Sequence, residues 1–505
     1  HDDSDRGGCQ RGRVRMIARA SSSSWSPFRS RRGSVLIIVM WTCLGLVSLT
    51  LYFANSMSAE LRAADNRVTE IEARQAVAGG IRYAGYILAN FATNGAVPNA
   101  ADYKSEALPV GEAQFWMIGR DNSQIPTSAP VFGLIDEASK LNLNTATRAM
   151  LTELPGMTPE LVEAIISWRR AANAQAGGGD SGETGGGSES AYARLDPPRL
   201  NKGGAFESVD ELRLVDGATL DILLGEDTNR NGALDANEDD GESSAPRDNQ
   251  DGQLLAGIFE YVTVYSRQPN TRADGTRRVN VTNGSGQNRQ QLIQLLLSKN
   301  IEQQRVATIV NLAFGPATGQ GGPGGQGGRG GPGGPGGQGG QPARPDLTSV
   351  AEFMVVSRMT AEEFVLIHAD ITTATGATQQ GLVNVNTASE AVLACIPGIG
   401  LANAATLAAY RVTHPDVLTS FAWLTQVLPP AAIRQAGRYI TDQSYQFTAD
   451  IAAVGRFGRG YCREKVVFDT RTSTPRIIFH QDLSAYGWAL GLQVRQTLKG
   501  TNNSS

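Results

Sequence analysis

A short acidic segment, DTNRNGALDANE at residues 227–238, has the residue types and spacing of a calcium-binding loop. Oxygen-bearing side chains occupy its first, third, fifth, ninth and twelfth positions, and Gly232 stands at the sixth, where such loops turn sharply. Ca²⁺ prefers six to eight hard oxygen ligands. We therefore expect Ca²⁺ as a cofactor, with side-chain ligands and one backbone carbonyl from Asp227, Asn229, Asn231, Ala233, Asp235 and Glu238.

The alternative interpretation of this segment is an acidic, solvated loop. Asp239, Asp240 and Glu242 follow it directly and extend the run of negative charge. The mainly apolar residues Leu220 to Leu224 before it predict the end of a helix leading into the loop. These two interpretations make different predictions about the response of the protein to calcium.

The sequence does not indicate an enzyme. The four histidines are isolated, and none belongs to a His-Glu-x-x-His motif; no Gly-x-Ser-x-Gly turn is present. The net charge of −4 also disfavours a protein dedicated to nucleic acid. No Cys-x-x-Cys pattern occurs. Cys395 and Cys462 are the two cysteines that could pair, and the sequence leaves open whether they do.

An uncharged apolar run from Val35 to Phe53 follows a cluster of arginines at 29, 31 and 32. About 20 apolar residues are enough to span a bilayer as a helix. The arginines predict a cytoplasmic N-terminus, with the bulk of the chain on the other side of the membrane. Apolar residues then recur at helical spacing as far as Ile71, which predicts that the helix continues beyond the membrane. A plain signal-anchor helix is the alternative.

Two segments of the chain repeat one pattern. Residues 142–170 and 384–411 each contain Asn-x-Asn-Thr-Ala, a short apolar stretch, Pro-Gly and a second apolar stretch that includes an arginine. The pattern predicts helix-hairpin-helix units. We expect Thr145 and Thr387 to cap the first helices, and Gly156 and Gly398 to supply the permissive backbone of the turns.

The remaining segments predict an α+β fold. Alternating and apolar runs predict short strands near both ends of the chain, at residues 114–118, 131–136, 446–454, 463–469 and 476–480. The predicted organisation is a basic leader, a membrane and spine helix, a small sheet domain from two segments, and a large helical insertion that contains the repeats and a glycine-rich linker. Their bounds are 1–33 for the leader, 34–95 for the helix, 96–135 and 440–500 for the sheet domain, 136–439 for the insertion and 319–345 for the linker.

The order of several motifs resembles the general secretion pathway protein K family, the large minor pseudopilins of type II secretion. The motifs are RRGSVLIIVMW at the start, LIDEASKLNLNTA, FESVDEL, LVNVNTA and YITDQSYQFTAD. The resemblance implies cleavage between Gly33 and Ser34 by a prepilin peptidase, methylation of the new amine, and a pseudopilin-like sheet domain with a large α-helical insertion. It also implies a single-pass protein of the bacterial inner membrane, mostly periplasmic, that comes to lie at the tip of the pseudopilus.

The same resemblance implies the partners. These are the other minor pseudopilins, the major pseudopilin, the inner-membrane secretion platform and the prepilin peptidase, with secreted proteins as further candidates. Counted from Ser34, the fifth mature residue is Ile38, where most pilin-like proteins carry a glutamate. By the family account, that glutamate neutralises the amine of the subunit ahead, so its absence marks a tip subunit. The alternative is that Ile38 simply faces lipid.

A second resemblance gives the competing function. Residues 395–411 resemble the helix-hairpin-helix of DNA-uptake receptors, in which turn amides and nearby basic side chains hold a phosphate. In this copy only Arg411 is basic. Because a surface that follows phosphates should be more basic, the sequence disfavours nucleic acid as a partner.

Overall fold

The computed structural model describes residues 34–120, 129–170, 192, 197–244, 246, 248–315, 346–472 and 474–501. The chain divides into two compact units, residues 1–65 and 66–505. The predicted leader at 1–33 and the glycine-rich linker at 319–345 lie outside the described residues. The other predicted domain bounds stay predictions.

A single helix, Ser34–Phe91, begins the described chain. Its first part is long and apolar enough to cross a membrane, and the side chains of Leu36, Ile38 and Leu44 are exposed there. Exposed aliphatic side chains at this density need an apolar surrounding, because water solvates them poorly. The predicted apolar helix is therefore confirmed as a candidate membrane anchor.

The later part of the helix packs against a sheet. Ala73, Val77 and Leu88 are buried in a cluster with Phe115 and Ile451. The helix carries small residues at this contact, which lets its backbone approach the sheet closely; a Cβ at Gly80 would lie 2.9 Å from the side chains of both Phe115 and Ile451. Helix and sheet thus share one apolar core.

The sheet combines strands from two distant parts of the chain. The six strands are β1 (Leu108–Val110), β2 (Ala113–Ile118), β3 (Ile135–Asp136), β12 (Gln446–Gly455), β13 (Arg459–Asp469) and β14 (Arg476–Asp482). The sheet is antiparallel, with strand order β1-β2-β12-β13-β14, and β3 pairs with β12.

Four of the five strand predictions are confirmed, and the one at 131–136 is wrong in extent. Only Ile135–Asp136 forms a strand there, and Phe132 makes an isolated bridge to Ile118. Pro130, which has no backbone N–H, and Gly133 interrupt the segment, and both residue types weaken a strand.

The second face of the sheet is covered by the C-terminal helix, Gly491–Thr501, which no sequence pattern predicted. Ala489 and Leu490 are buried against Trp116 and Ala452, and Val494 adds to that cluster. The centre of the sheet is therefore enclosed on both sides.

Helices dominate the region between the two sheet segments. Among the described residues, its α-helices of four or more residues are Arg148–Thr152, Pro159–Arg169, Leu220–Leu224, Ile258–Tyr261, Gly286–Ser298, Gln303–Phe314, Val350–Ser357, Ala361–Ile367, Glu390–Ala394, Gly400–Thr413, Leu424–Val427 and Pro430–Ala436. Short strand pairs tie this region together: β4 (Leu141–Asn142) with β5 (Val262–Thr263), β6 (Arg267–Pro269) with β9 (Thr378–Gln380), β7 (Val279–Asn280) with β8 (Ile371–Thr372), and β10 (Val383–Asn384) with β11 (Ile440–Thr441).

Each repeated segment contains two helices, one before and one after a turn. The glycine of each turn has a positive φ, +71° at Gly156 and +93° at Gly398. The predicted caps are wrong. Thr147 and Ser389 cap the first helices, two residues after Thr145 and Thr387. The cause is local: each Asn-x-Asn motif first folds into its own turn, closed by a backbone N–H to side-chain oxygen bond, so each helix starts later.

The arginines of the repeats turn inward. Arg169 donates to the carbonyls of Leu143 and Ala146, and Arg411 donates to the carbonyl of Val385 at 2.9 Å. Burial lowers the pKa of Arg411 to about 10. These guanidinium groups hold the start of each repeat against its second helix.

The two cysteines that could pair, Cys395 and Cys462, are both buried and free, so no disulfide joins them.

Candidate metal site

The acidic segment at 227–238 is closed at its neck by the backbone. The helix Leu220–Leu224 ends at Gly225, whose φ of +61° lets the chain reverse. The N–H of Glu226 then donates to the carbonyl of Leu255, and the N–H of Gly257 donates to the carbonyl of Leu224, both at 2.9 Å. The predicted helix before the loop is confirmed. Among the described residues, the next helix after the loop is Ile258–Tyr261, so the second helix of an EF-hand does not follow directly there.

The first and last residues of the loop accept hydrogen bonds from its backbone. Asp227 accepts from the N–H groups of Asn231 at 3.0 Å and Gly232 at 2.9 Å. Glu238 accepts from the N–H groups of Thr228 and Asp235, both at 3.1 Å. The backbone of the loop therefore holds in place both of the carboxylates that would bind the metal.

Three further predicted ligands meet one another inside the loop. The amide nitrogens of Asn229 and Asn231 lie 2.6 and 3.0 Å from the same carboxylate oxygen of Asp235. Ala233, the predicted carbonyl ligand, is buried, and its N–H donates to the side-chain oxygen of Asn231 at 2.8 Å. The structure thus brings the third, fifth and ninth positions within hydrogen-bond distance.

Two arginines dock the loop on the sheet. Arg463, on β13, is fully buried and pairs through two bonds with Asp450 of β12, at 2.6 and 2.8 Å. Its guanidinium also donates to the carbonyls of Asn229 and Arg230. A buried ion pair of this kind is stable only when its remaining donors are satisfied, and here the loop carbonyls satisfy them.

Arg120, which follows β2, also docks the loop on the sheet. Its Nε–H is shared between the two carboxylate oxygens of Glu260, each at 2.8 Å, and a terminal nitrogen donates to the carbonyl of Arg230 at 2.9 Å. The Asn231 carbonyl lies 3.4 Å from a third nitrogen of the same group. Neither arginine was identified from the sequence, because both lie more than a hundred residues from the loop and match no motif.

Burial raises the pKa of the loop carboxyls. The pKa of Glu238 rises to about 8, because the side chain is desolvated and because the charge of Asp227 is close. Desolvation also raises the pKa values of Asp227 and Asp235. A cation between these groups would relieve both effects, since it stabilises the charged carboxylates.

The donor set fits calcium by its chemistry. All six predicted ligands offer oxygen, which is what hard cations require. Across the described residues, however, no three His, Cys, Asp or Glu side chains converge in a geometry that would hold a metal. A calcium site here would therefore require the oxygens of Asn229, Asn231 and Ala233 as well as the carboxylates, and calcium binding stays a prediction.

The predicted processing site lies at the edge of the described chain. Ser34 begins the N-terminal helix, whereas Gly33 is outside the described residues. Ile38 lies on the first turns of the helix with 61% of its surface exposed, which fits both interpretations of this residue.

No family model matches the sequence, and no curated protein matches it. Among solved structures, one match is the GspK–GspI–GspJ complex of the type 2 secretion system from enterotoxigenic Escherichia coli. It covers 84% of this chain and 99% of the matched chain, at 9% sequence identity and a TM-score of 0.36. A likeness of this degree carries no argument about function, so the function must be argued from the chain itself.

Proposed function

We propose that this chain is a minor pseudopilin of the type II secretion system, located at the tip of the periplasmic pseudopilus, where it helps to initiate assembly and protein export. One observation carries the proposal: a single helix combines an exposed apolar first part with a second part packed on a small antiparallel sheet. Such a helix can anchor a subunit in the membrane and then pack against other helices in a fibre. The ordered motifs that resemble the K family support the same assignment.

In this proposal calcium has a structural role. Asp227, Asn229, Asn231, Asp235 and Glu238, with the carbonyl of Ala233, would hold the ion. Bound Ca²⁺ supplies positive charge that neutralises desolvated carboxylates and fixes the loop. Because Arg463 and Arg120 dock the loop on the sheet, a rigid loop would stabilise the sheet domain.

The DNA-uptake alternative has less support. A helix-hairpin-helix that holds phosphate needs basic side chains beside its turn. Arg169 and Arg411 are instead directed at backbone carbonyls within their own repeats. Tight, salt-sensitive binding of duplex DNA would reverse this preference.

Processing and assembly together test the proposed function. Co-expression with a prepilin peptidase should convert the chain to a form that begins at Ser34, seen by mass spectrometry, and Gly33→Leu should block the conversion. The matched variant Gly45→Leu, also in the apolar run, should still be cleaved.

Assembly forms the second arm of the experiment. The processed protein should co-purify with other minor pseudopilins, and a deletion strain should recover secretion with the wild type but not with Gly33→Leu. Normal secretion in the deletion strain, or equal rescue by the uncleaved variant, would contradict the proposal.

A further inference from the structure

A cleft of about 590 Å³ opens beside the end of the N-terminal helix, within the unit of residues 66–505. Leu88 and Ala92 of the helix and its extension, together with Val365 and Leu366, give it apolar walls. This volume lies in the range of sites that hold small molecules or a few residues of a peptide.

The charges that line the cleft are unbalanced. Four basic residues face it, Arg272, Arg278, Lys299 and Arg471, against one acidic residue, Asp370. Asp370 lies 2.8 Å from the Lys299 ammonium and 3.8 Å from Arg272, and Arg471 is paired with Asp469 beyond the lining. Counting Asp469, the formal charge is +2 (four cations less two carboxylates).

Arg278 is the residue that most needs an anion. It is 8% exposed, and its hydrogen bonds go to neutral oxygens: the side chains of Gln443 at 2.7 Å and Tyr445 at 3.0 Å, and the carbonyl of Thr271 at 3.2 Å. No described carboxylate lies within ion-pair distance of it. A buried cation without an anion is costly.

Two comparisons separate Arg278 from other buried arginines. Arg463, which is fully buried, and Arg120, which is largely buried, each have a carboxylate partner, Asp450 and Glu260. Arg411 also has no carboxylate partner in the described part of the chain, but it donates to the Val385 carbonyl of its own repeat. Arg278 differs because it lines an open cleft with three other basic side chains, so a ligand can reach this region.

We propose that this cleft binds an extended acidic segment of a partner protein, with a carboxylate of that segment placed against Arg278. Nε and one terminal nitrogen of Arg278 already donate to Thr271, Gln443 and Tyr445, so the other terminal nitrogen is the one that donates to the carboxylate. Lys299 and Arg272 add positive charge along the cleft. The apolar walls accept aliphatic side chains next to the carboxylate. This inference does not depend on calcium or on the proposed place in the pseudopilus.

The test uses the full chain in detergent and two peptides as probes. Isothermal titration compares acetyl-Leu-Glu-Leu-Glu-Leu-amide with the same peptide in which glutamine replaces glutamate. We expect the glutamate peptide to bind and the glutamine peptide to bind at least about tenfold more weakly, since a charge-assisted bond is lost. Equal binding of the two peptides, or no binding of the glutamate peptide, would overturn the proposal.

Variants then assign the binding to the cleft. Arg278→Gln should weaken the binding of the glutamate peptide about tenfold or more. Lys299→Gln, at a half-exposed position, should weaken this binding less. Arg434→Gln removes the same charge from an exposed position outside the cleft lining and should leave binding unchanged. Equal losses in all three variants would reveal a general charge effect and reject the site. Citrate that bound at Arg278 while neither peptide did would reject the peptide assignment.

Discussion

At the scale of single residues, Asp227 and Glu238 stand at the two ends of the acidic loop and are both buried. If calcium binds there, removal of both carboxylates should abolish the site, because no neutral ligand replaces two charges. We expect calcium to raise the melting temperature of the wild type by several degrees and to leave Asp227→Ala/Glu238→Ala unchanged. Thermal unfolding of the full chain in detergent, with calcium or with chelator, measures this.

The matched control for that loop is Asp221→Ala/Glu242→Ala. It removes the same number of charges from exposed positions just outside the twelve residues, so it should keep the full calcium response. A calcium response in the loop variant equal to that of the wild type would eliminate the predicted site.

Asp136 gives a second prediction at this scale. Its carboxyl is buried and accepts from the hydroxyls of Ser444 and Thr387, yet desolvation raises its pKa to about 6. An acid whose folded pKa lies above its unfolded value stabilises the fold at low pH and loses that stability as pH rises through the folded pKa. The wild type should thus lose up to about 3 kcal/mol from this group between pH 4 and pH 8.

The variant Asp136→Asn isolates this effect, because its amide cannot ionise. The difference in unfolding free energy between Asp136→Asn and the wild type should grow in favour of the variant as pH rises from 4 to 8. Glu137 is the appropriate neighbour for comparison, since the nearby lysines Lys140 and Lys465 and two hydroxyl donors outweigh its desolvation and lower its pKa. A difference in unfolding free energy that stays constant over this pH range would show that ionisation of Asp136 does not destabilise the fold.

At the scale of elements, the two repeat turns look alike in sequence but differ in their surroundings. A Cβ at Gly398 would lie 2.6 Å from the carbonyl oxygen of Ala432, in the helix Pro430–Ala436, whereas a Cβ at Gly156 would meet nothing within 4 Å. Both have positive φ, so alanine at either costs about 1–2 kcal/mol of backbone strain. Gly398→Ala should cost at least twice as much as Gly156→Ala in unfolding free energy. Equal losses would mean that the second turn is not packed as described.

The elements also show how far the sequence alone could lead. The apolar helix, four strands and both Pro-Gly turns were predictable, because each depends on a local pattern of apolar residues or on a residue with special backbone freedom. The exact start of the repeat helices was not predictable, because the turn at Asn142 or Asn384 takes the place of the expected threonine cap. At the candidate metal site, spacing predicts six ligands, which stay a prediction, but Arg463 and Arg120 depend on long-range pairing that no local pattern reports.

At the scale of the whole molecule, the two compact units predict where the chain can be cut. The buried contacts of the N-terminal helix with the sheet begin after the first unit: Thr69 is enclosed, and its carbonyl oxygen would lie 2.4 Å from a Cβ at Gly455. A chain that begins at Asn66 loses the exposed apolar run but keeps these contacts. We expect it to stay in solution without detergent, with a melting temperature and calcium response close to those of the full chain.

A second truncation that begins at Gly79 supplies the contrast. It also removes Ala73, Ala76 and Val77, all buried in the helix–sheet core, so it should expose apolar surface of β2 and β12 and melt at least about 5 °C lower. Size-exclusion chromatography and thermal unfolding of both fragments measure the effect. If the longer fragment aggregated as readily as the shorter one, residues before Asn66 would have to contribute to the fold itself. The apolar run could then no longer be treated as an anchor that the sheet domain does without.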